Sequence, residues 1–179
     1  MDIKKIGVLG AGTMGAGIAQ VSVEAGYNVV LIDVVPEIVE KAVKGLNKAW
    51  GKAVEKGKVT AEAVASYNGL LTTGTDINAF KDVDIVIEAI IENIDVKKKV
   101  QKQLGEVCKP EAILATNTSA LSITEIAAAT NRPDKVLGMH FFNPVVMMKL
   151  VEVIPGAVTT DDVVQAVIEM SKKIGKEPV

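Results

Sequence analysis

Short apolar runs alternate along this chain with longer segments whose apolar positions recur every three or four residues. The short runs read as buried strands and the longer ones as amphipathic helices. The spacing predicts a first strand over Ile3–Leu9, then a helix over Met14–Ala25 that Gly26 closes. A second strand follows at Asn28–Asp33, and Pro36 suits the first turn of a long helix to about Glu55. Gly57 breaks that pattern, Thr60 caps a short helix, and Leu70–Thr73 is a weak third strand. Val83–Ile87, a helix over Asp95–Val107, Ala112–Ala115, a short helix near Ile123–Ala129 and Lys135–His140 complete the alternation. Strand and helix in turn imply an α/β fold with a mainly parallel sheet.

After His140 the pattern changes. Asn143-Pro144 marks a turn, and Met148–Ile154 is a strand with no helix before it. So short a connection cannot make a parallel crossover, so this seventh strand is expected to run antiparallel to the sixth. Asp161–Ile174 reads as a helix capped by Gly175, and Lys176-Glu177-Pro178-Val179 opens an eighth strand. The expected architecture is a Rossmann-type doubly wound sheet with antiparallel strands at its C-terminal edge. Residues 1–179 form one domain on this reading, cut from a longer protein.

The unusual residues gather at strand ends. The first strand leads into Gly10-Ala11-Gly12-Thr13-Met14-Gly15, and the second ends at Asp33. The fourth leads to Glu88 and Glu92, the fifth to Asn117-Thr118-Ser119, and the sixth ends at His140, the only histidine. Ligands of open parallel sheets bind beyond the carboxyl ends of the strands. One rim therefore collects the chain's candidate chemistry.

Composition narrows the classes. Apolar residues make up 49 % and aromatics only 3 %, so aliphatic side chains must fill the core. A net charge of −2 argues against a nucleic-acid surface. No apolar run is long enough to cross a bilayer, and no set of metal ligands stands out. Met1-Asp2-Ile3-Lys4-Lys5 runs straight into a strand, so no signal peptide is expected. The lone Cys108 excludes an internal disulfide, fits a cytoplasmic location and suits helix-face packing.

Gly10-x-Gly12-x-x-Gly15 sits between a strand and a helix, the context in which such a loop binds a dinucleotide. Gly10 permits the tight turn, Gly12 lets backbone approach a pyrophosphate, and Gly15 lets helix and strand pack closely. Asp33 ends the next strand, where a carboxylate accepts hydrogen bonds from the adenosine ribose and repels a 2′-phosphate. Val34 and Val35 bring no arginine to offset that repulsion, so NAD is expected rather than NADP. On these residues alone, a packing turn and a helix-capping carboxylate are the plain alternatives.

His140 and Glu152 are symmetric about residue 146 if the sixth and seventh strands fold back on each other. The carboxylate would then fix the imidazole tautomer and leave the other nitrogen to take a proton from an alcohol. Otherwise, a lone histidine and a solvated strand glutamate are the ordinary reading.

These residues resemble a family. Gly10 to Ala19, Asn117-Thr118-Ser119, His140-Phe141-Phe142-Asn143-Pro144 and Lys149-Leu150-Val151-Glu152-Val153 are similar to the motifs of 3-hydroxyacyl-CoA dehydrogenases. The short, single-function bacterial type acting on 3-hydroxybutyryl-CoA looks most similar. The resemblance implies that His140 is the catalytic base and that Glu152 orients it. It places Ser119 at the substrate's 3-oxygen and near the nicotinamide, and Asn143 at the nicotinamide end of NAD. Glu92 and Lys97 would line the cofactor too, and Lys56 would meet phosphates of the acyl-CoA substrate. Spacing alone makes Lys52 to Lys58 a solvated helix end, and Ala49 stands where the family has a serine. The resemblance also implies an absent C-terminal helical domain that supplies an asparagine and most of a homo-oligomer contact. This chain alone would then bind NAD and catalyse poorly.

Two other readings stay open at this point. One is a non-catalytic dinucleotide-binding module. The other is a dehydrogenase of hydroxyacids or sugars, which usually places a lysine at the reacting centre.

Overall fold

Six parallel strands and two reversed ones make a single sheet in the computed structural model, which describes residues 1–179. In chain order the strands are β1 (Lys5–Leu9), β2 (Asn28–Ile32), β3 (Leu71–Gly74), β4 (Ile85–Glu88), β5 (Ile113–Thr116), β6 (Val136–Phe141), β7 (Leu150–Pro155) and β8 (Glu177–Pro178). The helices are α1 (Thr13–Glu24), α2 (Pro36–Glu55), α3 (Ala61–Leu70), α4 (Ile94–Val107), α5 (Ile123–Ala128) and α6 (Asp161–Lys173). The spatial order is β3-β2-β1-β4-β5-β6-β7-β8. Winding reverses between β1 and β4, which places the loop after β1 at the switch point of a doubly wound sheet.

The boundaries differ from the sequence reading in a few places. β3 begins at Leu71 because α3 keeps its helix through Leu70 and joins the strand without a loop. β7 begins at Leu150, because Met147 and Met148 donate their amides to Pro144 O and so belong to the turn. Single 3₁₀ turns at Ile77–Phe80 and Pro133–Lys135 fill stretches with no clear period. Gly26 and Gly175 take positive φ (87° and 78°), as expected of residues that end helices.

Strand alternation sorts the core onto the two faces of the sheet. Ile6, Val8, Val29, Leu31, Ile85, Ile87 and Ile113 face the layer built by α1, α2 and α6. Leu9, Val30, Ile32, Val86 and Leu114 face α4 and α5. α2 buries Val39, Ala42, Leu46 and Trp50, three to four residues apart, and its Trp50 Nε1 donates to Glu24 Oε1 of α1 at 2.9 Å. Each large apolar side chain so buried contributes about 1.5–3 kcal/mol. Gly7 leaves room for Phe80, since a Cβ there would lie 2.8 Å from the ring. Cys108 packs in the second layer, and burial pushes its thiol up to about 11.

β6 and β7 pair antiparallel, and the register sets His140 opposite Glu152. β8 pairs parallel with β7, so β7 and β8 both run opposite to the first six strands. By the same alternation, Glu88, Thr116 and His140 all point to the α4–α5 face at the sheet's C-terminal rim. No helix of the chain is long and apolar enough to cross a membrane.

Candidate active site

The loop between β1 and α1 has the form that its glycines predict. Gly10 has φ +99°, and a Cβ on it would lie 2.6 Å from Ala89 O. A Cβ on Gly15 would come 1.7 Å from Gly10 O. Around Gly12 nothing lies within 4 Å of the position a Cβ would take. Two glycines are therefore demanded by the protein itself, while the third keeps open a space that no protein atom uses. No side chain caps α1 beyond Gly12 and no acid stands in its first turn, so its amides and positive pole are directed at that space. A pyrophosphate fits there on charge, hydrogen bonding and room.

Asp33 follows directly on β2 and is half-buried. Its Oδ2 accepts the Ala11 N–H at 2.8 Å and its Oδ1 the Val35 N–H at 3.0 Å. The carboxylate thus holds the glycine loop, and its remaining lone pairs are free for ribose hydroxyls. The amide of Ala11 is turned to Asp33, so Ala11 contributes loop shape and not a phosphate donor. Thr13 is exposed at the mouth of the loop, whereas Met14 packs against the core. A cavity of about 490 Å³ opens beside the loop, lined among others by Gly12, Thr13, Lys41, Asn143 and Val146. Asn143 is exposed at its edge, as a residue meeting a cofactor must be.

At the end of β6, His140 Nδ1 lies 2.6 Å from Glu152 Oε2. A carboxylate can only accept, so Nδ1 carries a proton, and in the neutral ring Nε2 presents its lone pair. No protein group bonds Nε2, and the imidazole is 19 % exposed, enough for a substrate to reach it. The Phe142 ring sits 4.5 Å from the imidazole, tilted by 50°. The next residue, Phe141, donates its N–H to Asn117 Oδ1 at 2.9 Å, so the Asn-Thr-Ser segment after β5 braces the strand end that bears the histidine. Ser119 is exposed on this segment and donates its N–H to Glu92 Oε1 at 3.2 Å. Thr118 donates its hydroxyl to the same oxygen.

Lys97, which the resemblance sets at the cofactor, lies within ion-pair reach of Glu92. It is fully buried, with Nζ 2.7 Å from Glu88 Oε1, 3.6 Å from Glu92 Oε2 and 3.4 Å from Asn117 O. Glu88 is fully buried as well and accepts the Thr116 hydroxyl at 2.7 Å and the Ile90 N–H at 2.9 Å. Lys97 therefore ties the ends of β4 and β5 together from beneath, and of its two acidic partners only Glu92 reaches the surface. Asn93 caps α4, accepting from Asp95 and Val96, which fixes where Lys97 enters. Lys56 is not brought to the rim: it is exposed at the far end of α2, a 20-residue helix about 30 Å long that starts beside Asp33. Its charge suits the negative end of that helix.

Several residues of the site carry only a weak signal in the sequence. Glu88 was visible only as a strand-end acid, while Asn117 was one member of a motif. Lys41 reaches the cavity from the middle of a helix rich in lysine, where spacing does not single it out.

The chain matches the family model described as 3-hydroxyacyl-CoA dehydrogenase, NAD binding domain, over residues 5–179. It is 48 % identical over 175 residues to a 3-hydroxybutyryl-CoA dehydrogenase of Clostridioides difficile, covering 98 % of this chain and 62 % of that protein. It is 44 % identical over 179 residues to a 3-hydroxyadipyl-CoA dehydrogenase of Escherichia coli K12, covering 100 % and 38 %. The crystal structure of (S)-3-hydroxybutyryl-CoA dehydrogenase from Ralstonia eutropha superposes with a TM-score of 0.96 at 43 % identity, over 99 % of this chain and 63 % of that one. The chain thus spans less than two thirds of the length of these relatives. With a glycine loop, an Asp33 anchor and a His140–Glu152 pair on one rim, the chain belongs to the NAD-binding domain family of 3-hydroxyacyl-CoA dehydrogenases, and its cofactor is NAD.

Proposed function

We propose that the protein interconverts (S)-3-hydroxyacyl-CoA and 3-oxoacyl-CoA, with 3-hydroxybutyryl-CoA and acetoacetyl-CoA as the leading pair. The observation that carries this reading is the 2.6 Å contact of His140 with Glu152 at the rim that also holds the glycine loop. A neutral imidazole with Nδ1–H on a carboxylate is set to accept the alcohol proton at Nε2 and to return it in the reverse direction. Glu152 stabilises the imidazolium in between. NAD, when bound, supplies the acceptor for the two electrons and the hydrogen of the substrate's C–H bond.

The other residues are read in the roles that the family likeness gives them. Gly10, Gly12 and Gly15 with the start of α1 hold the pyrophosphate, and Asp33 holds the adenosine ribose. Glu92 and Asn143 face the nicotinamide half, and Ser119 donates its hydroxyl to the substrate's 3-oxygen. Lys97 supports Glu92 from below. Lys56 meets phosphates of coenzyme A at the outer end of α2, where a mobile point charge suffices.

The remaining length of the relatives accommodates a second domain that closes over the acyl-CoA and joins protomers into a homo-oligomer. Residues 1–179 by themselves then bind NAD and turn over slowly. The protein works in the cytoplasm, in fatty-acid and butyrate metabolism.

The test is an assay of the intact protein with acetoacetyl-CoA against NADH and NADPH, with free acetoacetate as the control substrate. Thioester reduction with NADH is expected, with little reduction of the free acid. Activity on the free acid alone, or preference for NADPH, contradicts the reading.

A further inference from the structure

Three cations are buried in this protein, and they are not held alike. Lys97 faces carboxylates. Arg132, 7 % exposed, forks over the carbonyls of Gly105, Cys108, Lys109 and Ala112 where α4 ends, at the edge of the sheet opposite the rim. Lys176, also 7 % exposed, stands between α6 and β8 and makes no salt bridge. Its Nζ donates to the carbonyl of Met148 at 2.8 Å and to that of Val145.

Those two carbonyls belong to the turn between β6 and β7. The turn is closed on itself by the Met147 and Met148 amides, each 3.0 Å from Pro144 O. Its Val145 side chain is buried against α1, where a Cβ on Gly17 would come within 2.9 Å of Val145 Cβ. The turn is therefore pinned at two points, by an ammonium from the α6–β8 link and by close contact with the dinucleotide helix. Asn143 and Val146 adjoin those pins and line the cavity shared with Gly12 and Thr13. Just upstream, near the end of β6, stands His140. A buried ammonium facing only carbonyls gains no ion pair to offset its desolvation. Its benefit is geometric: it aims two carbonyls, and hence the whole turn, at one point.

We propose that Lys176 is a positioning residue for the active site, fixing the 143–148 turn so that Asn143 meets the nicotinamide half of NAD beside the glycine loop. This rests on the reading of that cavity as part of the NAD site. Arg132 provides the contrast, because it performs the same carbonyl-holding task at the far edge and should matter for folding alone.

The experiment compares Lys176→Met, Lys176→Arg and Arg132→Met in the intact protein by hydrogen exchange of the segment 141–149 and by NADH titration calorimetry. Lys176→Met is expected to speed exchange in that segment and to raise the NADH dissociation constant roughly tenfold, as a misplaced contact does. Lys176→Arg, which keeps charge and donors, recovers part of both. Arg132→Met lowers the melting temperature while leaving segment exchange and NADH affinity close to wild type. If Lys176→Met does not fold, Lys176→Arg set against Arg132→Met still decides the matter. Wild-type exchange in both Lys176 variants overturns the clamp. Faster exchange with unchanged NADH affinity overturns its role in positioning. A wild-type protein that binds no NADH refutes the proposed function instead, and the exchange data then judge the clamp by themselves.

Discussion

His140 and Glu152 are cross-strand partners as well as hydrogen-bond partners. Their Cα atoms are paired in the β6–β7 ladder, and Nδ1 meets Oε2 at 2.6 Å. Two side chains paired in this way share one face of the sheet, so the ladder itself aims the carboxylate at the ring. The turn that joins the strands then decides where the pair sits relative to the glycine loop.

Glu152→Gln keeps the side chain's length and one acceptor but removes the charge that stabilises the imidazolium. General acid–base catalysis contributes about 10²–10⁴, so kcat of the intact enzyme should fall roughly 10²-fold. Steady-state kinetics and NADH titration check it together, and the NADH dissociation constant should hold. A kcat near wild type contradicts the orienting role.

Gly12→Val and Gly15→Ala should separate ligand space from protein packing. Nothing lies within 4 Å of a Cβ at Gly12, and φ there is an ordinary −65°. A side chain at this helix cap costs about 1 kcal/mol or less, yet it fills the pyrophosphate space. NADH binding should be abolished in Gly12→Val with the unfolding midpoint nearly unchanged. In Gly15→Ala the new Cβ meets Gly10 O at 1.7 Å, and overpacking should cost about 1–3 kcal/mol or more. Calorimetry and urea unfolding read both. Wild-type NADH affinity in Gly12→Val refutes the loop assignment.

Lys97→Met should destabilise by about 3–5 kcal/mol, because it leaves the Glu88 carboxylate buried without its counter-charge. Adding Glu88→Gln removes that charge, keeps the acceptor for the Ile90 N–H and turns an NH2 donor to the Thr116 hydroxyl, which can accept, so the double variant should be more stable than Lys97→Met alone. Urea unfolding of the four-member cycle measures the coupling. Simple additivity of the two single effects contradicts the pairing.

The sequence carries some of these relationships and not others. The His140–Glu152 pairing was legible because an antiparallel hairpin obeys a symmetry rule: residues equidistant from the turn face each other. Gly10, Gly15, Gly26 and Gly175 were legible because each answers a local steric demand. Lys97, Lys176 and Arg132 were not, because a lysine or arginine is ordinarily exposed and only tertiary packing buries it. Lys56 shows the converse limit. Family likeness assigns it a partner, while the structure leaves it at the outer end of α2 with nothing beside it to test that assignment.

The base of the sheet carries a pH-dependent tie. Burial pushes the Asp84 carboxyl up, but the Lys109 ammonium at 2.5 Å and the amides of Lys4 and Lys5 outweigh it and hold the group below its ordinary value. A lowered folded value means that the unfolded chain binds the proton more readily. The contribution is therefore complete above the unfolded value of about 3.9 and is lost as pH falls through the folded one. The stability gap between wild type and Asp84→Asn should shrink as pH falls below about 4. Denaturant unfolding across that range checks it, and a gap that does not change with pH contradicts it.

The central claim is that the Nε2 of residue 140 moves the proton of the substrate alcohol. His140→Gln in the intact protein, assayed for acetoacetyl-CoA reduction and titrated with NADH, addresses it most directly. Turnover is expected to fall by about 10²–10⁴ or more while the NADH dissociation constant stays within about twofold of wild type. Turnover that survives the substitution, or NADH affinity that falls in step with it, would contradict the claim.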